Sequence, residues 1–259
     1  MVGRVTGDQV EQVKGVTYSM SQFLGEHSST NLGPNNMPRR SLEVSLEVQR
    51  PLLLLVVPFS HPDLTCQQNY LPTRVSTQAV HERSNGKNTL FYVVQYLNPG
   101  DYHRIHSPVD MQVERLRHFP GTVFPISPVV TRLIPNVFAM NERVVLTGEW
   151  KHGAFSYTAV GAYNVGSIAI NFDSSIRTNT NLRCPNIELL SYGGVGSYAY
   201  VKRYADGTEN PRVSLKKGDE LGRFNMGSTV VLIFEAPKEF EFVVKPGDKV
   251  KLGETLGEC

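Results

Sequence analysis

The strongest hydrophobic feature is an unbroken run, Val230-Val231-Leu232-Ile233-Phe234, that follows the polar, glycine-containing turn Arg223-Phe224-Asn225-Met226-Gly227-Ser228-Thr229. A short apolar run rich in β-branched residues reads as a buried strand. Thr89 to Leu97 reads as a second strand, closed by the turn signal Asn98-Pro99-Gly100. Alternation predicts strands at Val10–Lys14 and Met111–Leu116. Further strands are expected at Arg143–Thr147, Phe155–Val160, Val165–Phe172 and Ser197–Lys202, with Gly148, Gly153 and Gly161 near turns. Ser19 to Gly25 predicts one short helical turn, and Ser127 to Arg143 a short helix interrupted by Pro128 and Pro135. The sum is a mainly β chain, α+β with few short helices, in a single domain over residues 1–259.

The stretch 26–87 breaks this pattern. It carries Pro34, Pro38, Pro51, Pro58, Pro62 and Pro72 among many Ser and Asn. Only Leu42 to Val48 alternates like a strand. The stretch reads as a long surface loop or disorder. The run Leu52–Val57, bounded by Pro51 and Pro58, is far short of the roughly 20 residues a membrane-spanning helix needs. Any membrane contact is therefore expected to be peripheral, or to come from residues outside this chain. No signal or transit pattern is legible at Met1.

Composition narrows the classes. Of 259 residues, 40% are apolar and 19% charged, which suits a globular domain. A net charge of +2 gives no argument for nucleic acid as a partner. The three cysteines, Cys66, Cys184 and Cys259, are far apart and form no Cys-x-x-Cys pair. A disulfide framework or structural zinc site does not fit, and a reducing compartment does.

Two places carry candidate chemistry. At Gly227-Ser228 a serine follows a residue without a Cβ, so other groups can approach the glycine carbonyl closely. With its proton removed, the Ser228 oxygen can attack that carbonyl and form an ester. Elimination then breaks the chain and leaves a dehydroalanine, which hydrolyses to a pyruvoyl group. An ordinary turn has the same residues. Asp101-Tyr102-His103-Arg104-Ile105-His106 places a carboxylate and two imidazoles just past a strand end. These residues suit a solvated loop, a His-x-x-His metal site, or a base with an orienting acid. Arg115, Arg117 and His118, beside Phe119 and Phe124, suit a lipid phosphate and its apolar chain, or a solvated edge strand.

The motif Tyr96-Leu97-Asn98-Pro99-Gly100-Asp101-Tyr102-His103-Arg104-Ile105-His106-Ser107-Pro108 resembles the Tyr-Leu-x-Pro-x-Asp-Tyr-His-Arg-x-His-x-Pro pattern of phosphatidylserine decarboxylases. Phe224-Asn225-Met226-Gly227-Ser228-Thr229-Val230 is similar to that family's processing site, usually Leu-Gly-Ser-Thr, with Met226 as a volume-conserving swap. Arg117-His118-Phe119-Pro120-Gly121, Asn141-Glu142-Arg143-Val144 and Gly161-Ala162-Tyr163-Asn164-Val165-Gly166-Ser167 agree as well, as does the string from Glu11 to Ser19 with the mitochondrial members. The turns at Lys217-Gly218-Asp219 and Pro246-Gly247-Asp248 echo each other. They look like those of lipoyl- and biotinyl-type barrel sandwiches, which suggests a compact β-sandwich or barrel around the cleavage loop.

The resemblance implies a proenzyme that cuts itself between Gly227 and Ser228 into a β chain, 1–227, and an α chain, 228–259, whose Ser228 becomes a pyruvoyl cofactor. His106 would be the base for Ser228, Asp101 its support, and His103 a proton donor in decarboxylation. The substrate would be phosphatidylserine in the mitochondrial inner membrane, converted to phosphatidylethanolamine and CO₂ without metal or nucleic acid. Two departures stand out. Part of 26–87 reads as an insertion, with 39–70 readable as translated intron. An upstream Asp-Gly, part of the family's Asp-His-Ser set, would lie before Met1, and Asp8 does not match it. The chain is therefore expected to be truncated. The alternative is an unprocessed, inactive homologue that binds lipid or partner chains.

Overall fold

A computed structural model describes residues 1–5, 7, 9–13, 16–24, 88–121, 123–126, 133–134, 136–162, 167–176, 178, 191–192, 195–196, 200–225 and 229–259. The expected loop and insertion over 26–87 and the residues of the Gly227–Ser228 bond lie outside that set.

The apolar run forms the strand β15 (Thr229–Pro237), and its burial explains its lack of alternation: eight of its nine residues are buried. It runs antiparallel between β4 (Asn88–Tyr96) and β8 (Gly153–Val160). These strands belong to one antiparallel sheet, in the order β1 (Val2–Arg4), β4, β15, β8, β7 (Arg143–Trp150), β6 (Met111–Phe119) and β12 (Tyr200–Arg203), with β13 (Val213–Leu215) also on β6. A central strand has both faces covered, so an apolar run without alternation suits it.

Each face carries its own layer. On one, Val230, Leu232 and Phe234 pack with Phe91, Tyr157 and Leu146 against Ile105, Ile168, Leu221 and Phe224. Those four come from a small antiparallel sheet, β5 (Arg104–His106), β14 (Glu220–Phe224) and β9 (Ile168–Ile170). On the other face, Val231 and Ile233 meet Tyr92, Val145 and Val160 under a cover of helices and a hairpin. The cover is the hairpin β2 (Gln9–Val13) and β3 (Val16–Ser19), the helix α1 (Met20–Leu24) and the helix α2 (Val137–Met140). Two short antiparallel pairs, β10 (Ser191–Tyr192) with β11 (Val195–Gly196) and β16 (Glu241–Phe242) with β17 (Gly257–Glu258), lie outside these sheets, and the mainly β expectation holds. The sheets are packed open sheets, and the described residues form no closed barrel.

Several element boundaries differ from the sequence reading. Among the described residues, the helix expected over 127–143 includes α2, and the strand expected over 165–172 includes β9, which ends in a turn at 171–172. β7 runs through Gly148 to Trp150 instead of turning there. A Cβ on Gly148 would lie 1.9 Å from the Gln112 carbonyl oxygen, so the glycine admits a close backbone approach where β6 shifts register between Val113 and Arg115.

Two buried arginines tie the helical cover to the sheet. Arg143 donates from Nε to the Phe23 carbonyl and stacks its guanidinium 4.1 Å from the Phe119 ring centroid. Arg117 donates to the Leu24 carbonyl. Both bonds satisfy carbonyls in the last turn of α1, which that helix cannot pair internally.

Candidate active site

The loop from β4 to β5 closes on itself before it reaches the histidines. The Asp101 N–H donates to the Asn98 carbonyl at 2.9 Å. In return Asp101 Oδ2 accepts from Asn98 N–H at 2.8 Å and from Asn98 Nδ2 at 3.1 Å. The Asn98 backbone bond, then its side-chain bond, hold the Asp101 carboxyl below its ordinary range, against a slight opposing desolvation and with His103 and Lys249 assisting. Asp101 thus carries a charge that orders the turn.

His106 sits on β5 with both ring nitrogens engaged. Nδ1 lies 2.8 Å from the Gly218 carbonyl oxygen, and Nε2 lies 2.8 Å from the Tyr102 hydroxyl. A carbonyl can only accept, so Nδ1 carries the hydrogen, and in the neutral ring Nε2 is the basic nitrogen. The Tyr102 ring stacks on the imidazole at 5.7 Å, with 23° between planes. The expectation paired Asp101 with this histidine. In the structure the hydrogen bonds at His106 come from Gly218 and Tyr102, while Asp101 binds Asn98.

Gly218 is in place because of its turn. Its φ is +93°, a left-handed value that suits glycine. The Asp219 carboxylate accepts from the Lys216 N–H at 2.7 Å, the Gly218 N–H donates to the Ser107 carbonyl at 2.8 Å, and the Ser107 N–H donates to the Asp219 carbonyl at 2.8 Å. The echo seen in the sequence is the same device repeated: Asp248 accepts from the Lys245 N–H at 2.8 Å, with Gly247 at φ +101°.

His103 differs from His106. It is half-buried, and its Nε2 is shielded from solvent with no hydrogen-bond partner among the described residues. Its backbone carbonyl accepts from the Phe224 N–H at 2.9 Å. Next along the chain, Asn225 donates from its backbone to the Ser167 carbonyl at 3.0 Å and from its side chain to the Ser167 hydroxyl. On the far side of residues 226–228, Thr229 pairs with both Tyr96 and Val160.

The candidate headgroup residues lie elsewhere. β6 is an interior strand, flanked by β7 on one side and by β12 and β13 on the other. Arg117, His118 and Phe119 are buried, so neither a lipid-facing nor a solvated edge describes them. His118 Nε2 meets Glu142 Oε1 at 2.8 Å, Arg117 caps α1, and Phe119 lies under Arg143. Arg115 is half-buried on the same strand. Phosphate binding by the three buried residues is replaced by a packing role, because desolvating such groups is offset only by the internal partners they have.

Two partners of the site were not singled out from the sequence. Tyr102 stands inside the histidine motif, yet spacing does not say that its hydroxyl returns to His106. Gly218 acts through its carbonyl, which every residue has; its only signal was the Gly-Asp turn. Among the described residues no group of three His, Cys, Asp or Glu side chains is placed to hold a metal, and no helix is long and apolar enough to cross a membrane.

Residues 57–258 match the sequence profile of the family described as phosphatidylserine decarboxylase. The chain belongs to that family. It is 42% identical over 257 residues to the mitochondrial phosphatidylserine decarboxylase proenzyme of Pongo abelii, covering 98% of this chain and 51% of that protein. It is 38% identical over 287 residues to the mitochondrial phosphatidylserine decarboxylase proenzyme 1 of Saccharomyces cerevisiae, covering 99% of this chain and 55% of that protein. The chain thus spans about half the length of these relatives.

Proposed function

We propose that this chain is the catalytic part of a self-processing decarboxylase that converts phosphatidylserine to phosphatidylethanolamine and CO₂. It cuts itself between Gly227 and Ser228, and the new 228–259 chain begins with a pyruvoyl group. One observation carries the reading. The His103 carbonyl binds the Phe224 N–H, while Thr229 pairs with Tyr96, so the histidine loop holds the chain on both sides of residues 226–228. Ser228 is one peptide unit, about 3.8 Å between Cα atoms, from Thr229.

In this reading His106, with its proton fixed on Nδ1, takes the Ser228 hydroxyl proton at Nε2. The Ser228 oxygen then attacks the Gly227 carbonyl. A pyruvoyl carbonyl at position 228 supplies an electron sink for decarboxylation of a primary amine. The fit rests on His103, whose shielded, unpartnered Nε2 suits a group that hands a proton to a carbanion. Asp101 serves by shaping the turn that presents both histidines. The mitochondrial names of the relatives support a place in the mitochondrion, and in this reading the lipid substrate is met at the inner membrane.

Intact-mass analysis of the purified chain tests this. The expected result is two chains, 1–227 and 228–259, the second with a blocked N-terminus, and a single chain for Ser228→Ala. A single 259-residue species from the unaltered sequence would overturn it. That result would favour the second reading, an unprocessed homologue that binds lipid or partner chains. The observation on its side is that Asp101 is spent on Asn98 and gives His106 no carboxylate.

A further inference from the structure

We propose that Tyr102 is a removable cap on the basic nitrogen of His106, and that its hydrogen bond slows self-cleavage by keeping that nitrogen occupied. The inference rests on the role given to His106 above. Neutral imidazole has one lone pair for an incoming proton, on the nitrogen that carries no hydrogen. Gly218 holds the hydrogen on Nδ1, so that lone pair is on Nε2. The Tyr102 hydroxyl already donates to it at 2.8 Å. The Ser228 proton and the Tyr102 proton cannot both be accepted there. The backbone carbonyl also bars the other tautomer as a way round, because it would set an acceptor against an acceptor.

The cap is built to open. Tyr102 is 50% exposed. Among the described residues its side chain is held by His106 alone, through the hydrogen bond and the stacked ring. Exposed side chains change rotamer in picoseconds to nanoseconds, so opening needs no movement of β5 or of the Gly218 turn. Tyr102 is thus a positioning residue: it contributes no atom to the cleavage, and it decides how often the base is free.

Tyr102→Phe keeps the stacked ring and removes the donor. A neutral hydrogen bond of ordinary net strength corresponds to about a twofold to tenfold bias toward the capped state. The full chain, made by cell-free translation and sampled over time, is expected to release the 228–259 fragment about twofold to tenfold faster as Tyr102→Phe. A second arm needs no cleavage. In the Ser228→Ala background, diethyl pyrocarbonate should label His106 faster by a similar factor when Tyr102 is Phe, as read by peptide mass. Labelling of His152 should stay unchanged. A merely structural role for Tyr102 would not raise both rates. Slower cleavage in Tyr102→Phe would mean that the tyrosine relays the proton, and would overturn the cap. Equal labelling of His106 with and without the hydroxyl would overturn it as well. Absence of cleavage in the unaltered chain would sink the proposed function, while the labelling arm would still judge the cap.

Discussion

Phe234→Ala probes the packing that anchors the strand immediately after residues 226–228. Phe234 is 6% exposed at the centre of β15. Its ring lies 5.9 Å from Phe91, 5.8 Å from Phe155, 5.4 Å from Phe240 and 5.9 Å from Trp150. Truncation removes the ring and leaves a cavity between strands that are paired on both sides and cannot close over it. Such a change costs about 3–5 kcal/mol. With a urea slope of about 3 kcal/mol per M for a chain of this size, the midpoint should fall by about 1–1.7 M. Trp150 is the single tryptophan, and its indole N–H donates to the Glu235 carbonyl at 2.9 Å, so its fluorescence reports on this strand. The control is Val243→Ala. Val243 is 56% exposed, and its truncation should shift stability by less than about 0.5 kcal/mol. A Phe234→Ala midpoint within about 0.3 M of the unaltered protein would refute the claim that β15 is held through this aromatic cluster.

Glu142→Leu removes the acceptor of the buried His118 Nε2 and should cost about 1–3 kcal/mol, whereas His118→Leu with Glu142→Leu should cost less than the single change. Thermal unfolding of Glu142→Leu, His118→Leu and the double variant checks this, and strictly additive losses would count against a paired role. Asp173 gives a pH dependence. Its burial raises the carboxyl, but hydrogen bonds from Ser175 and Tyr204 and the charge of Lys202 outweigh that and hold it below its ordinary value. A depressed carboxyl contributes stability above its unfolded value, about 3.9, and loses it as pH falls through the folded value. The stability gap between the unaltered protein and Asp173→Asn should therefore be constant above about pH 5 and narrow toward about pH 3, as measured by urea midpoints. A gap that widens on acidification would show that this network is not what Asp173 contributes.

The sequence by itself determined which stretches become strands where one face or both are buried. Val230 to Phe234, Thr89 to Leu97 and Phe155 to Val160 were legible because apolar spacing is a local property. So were the Gly-Asp turns, whose side-chain-to-backbone bonds join residues three apart, and the histidine motif itself. Only the tertiary structure decided where β6 lies in its sheet. An interior position buries Arg117 and His118, and no local pattern distinguishes it from an edge. Only the fold, too, could show that the partner of His106 is the carbonyl of Gly218, 112 residues away, and not the nearby carboxylate. Backbone carbonyls leave no mark in a sequence, and hydrogen bonds between distant segments are set by sheet register and close packing.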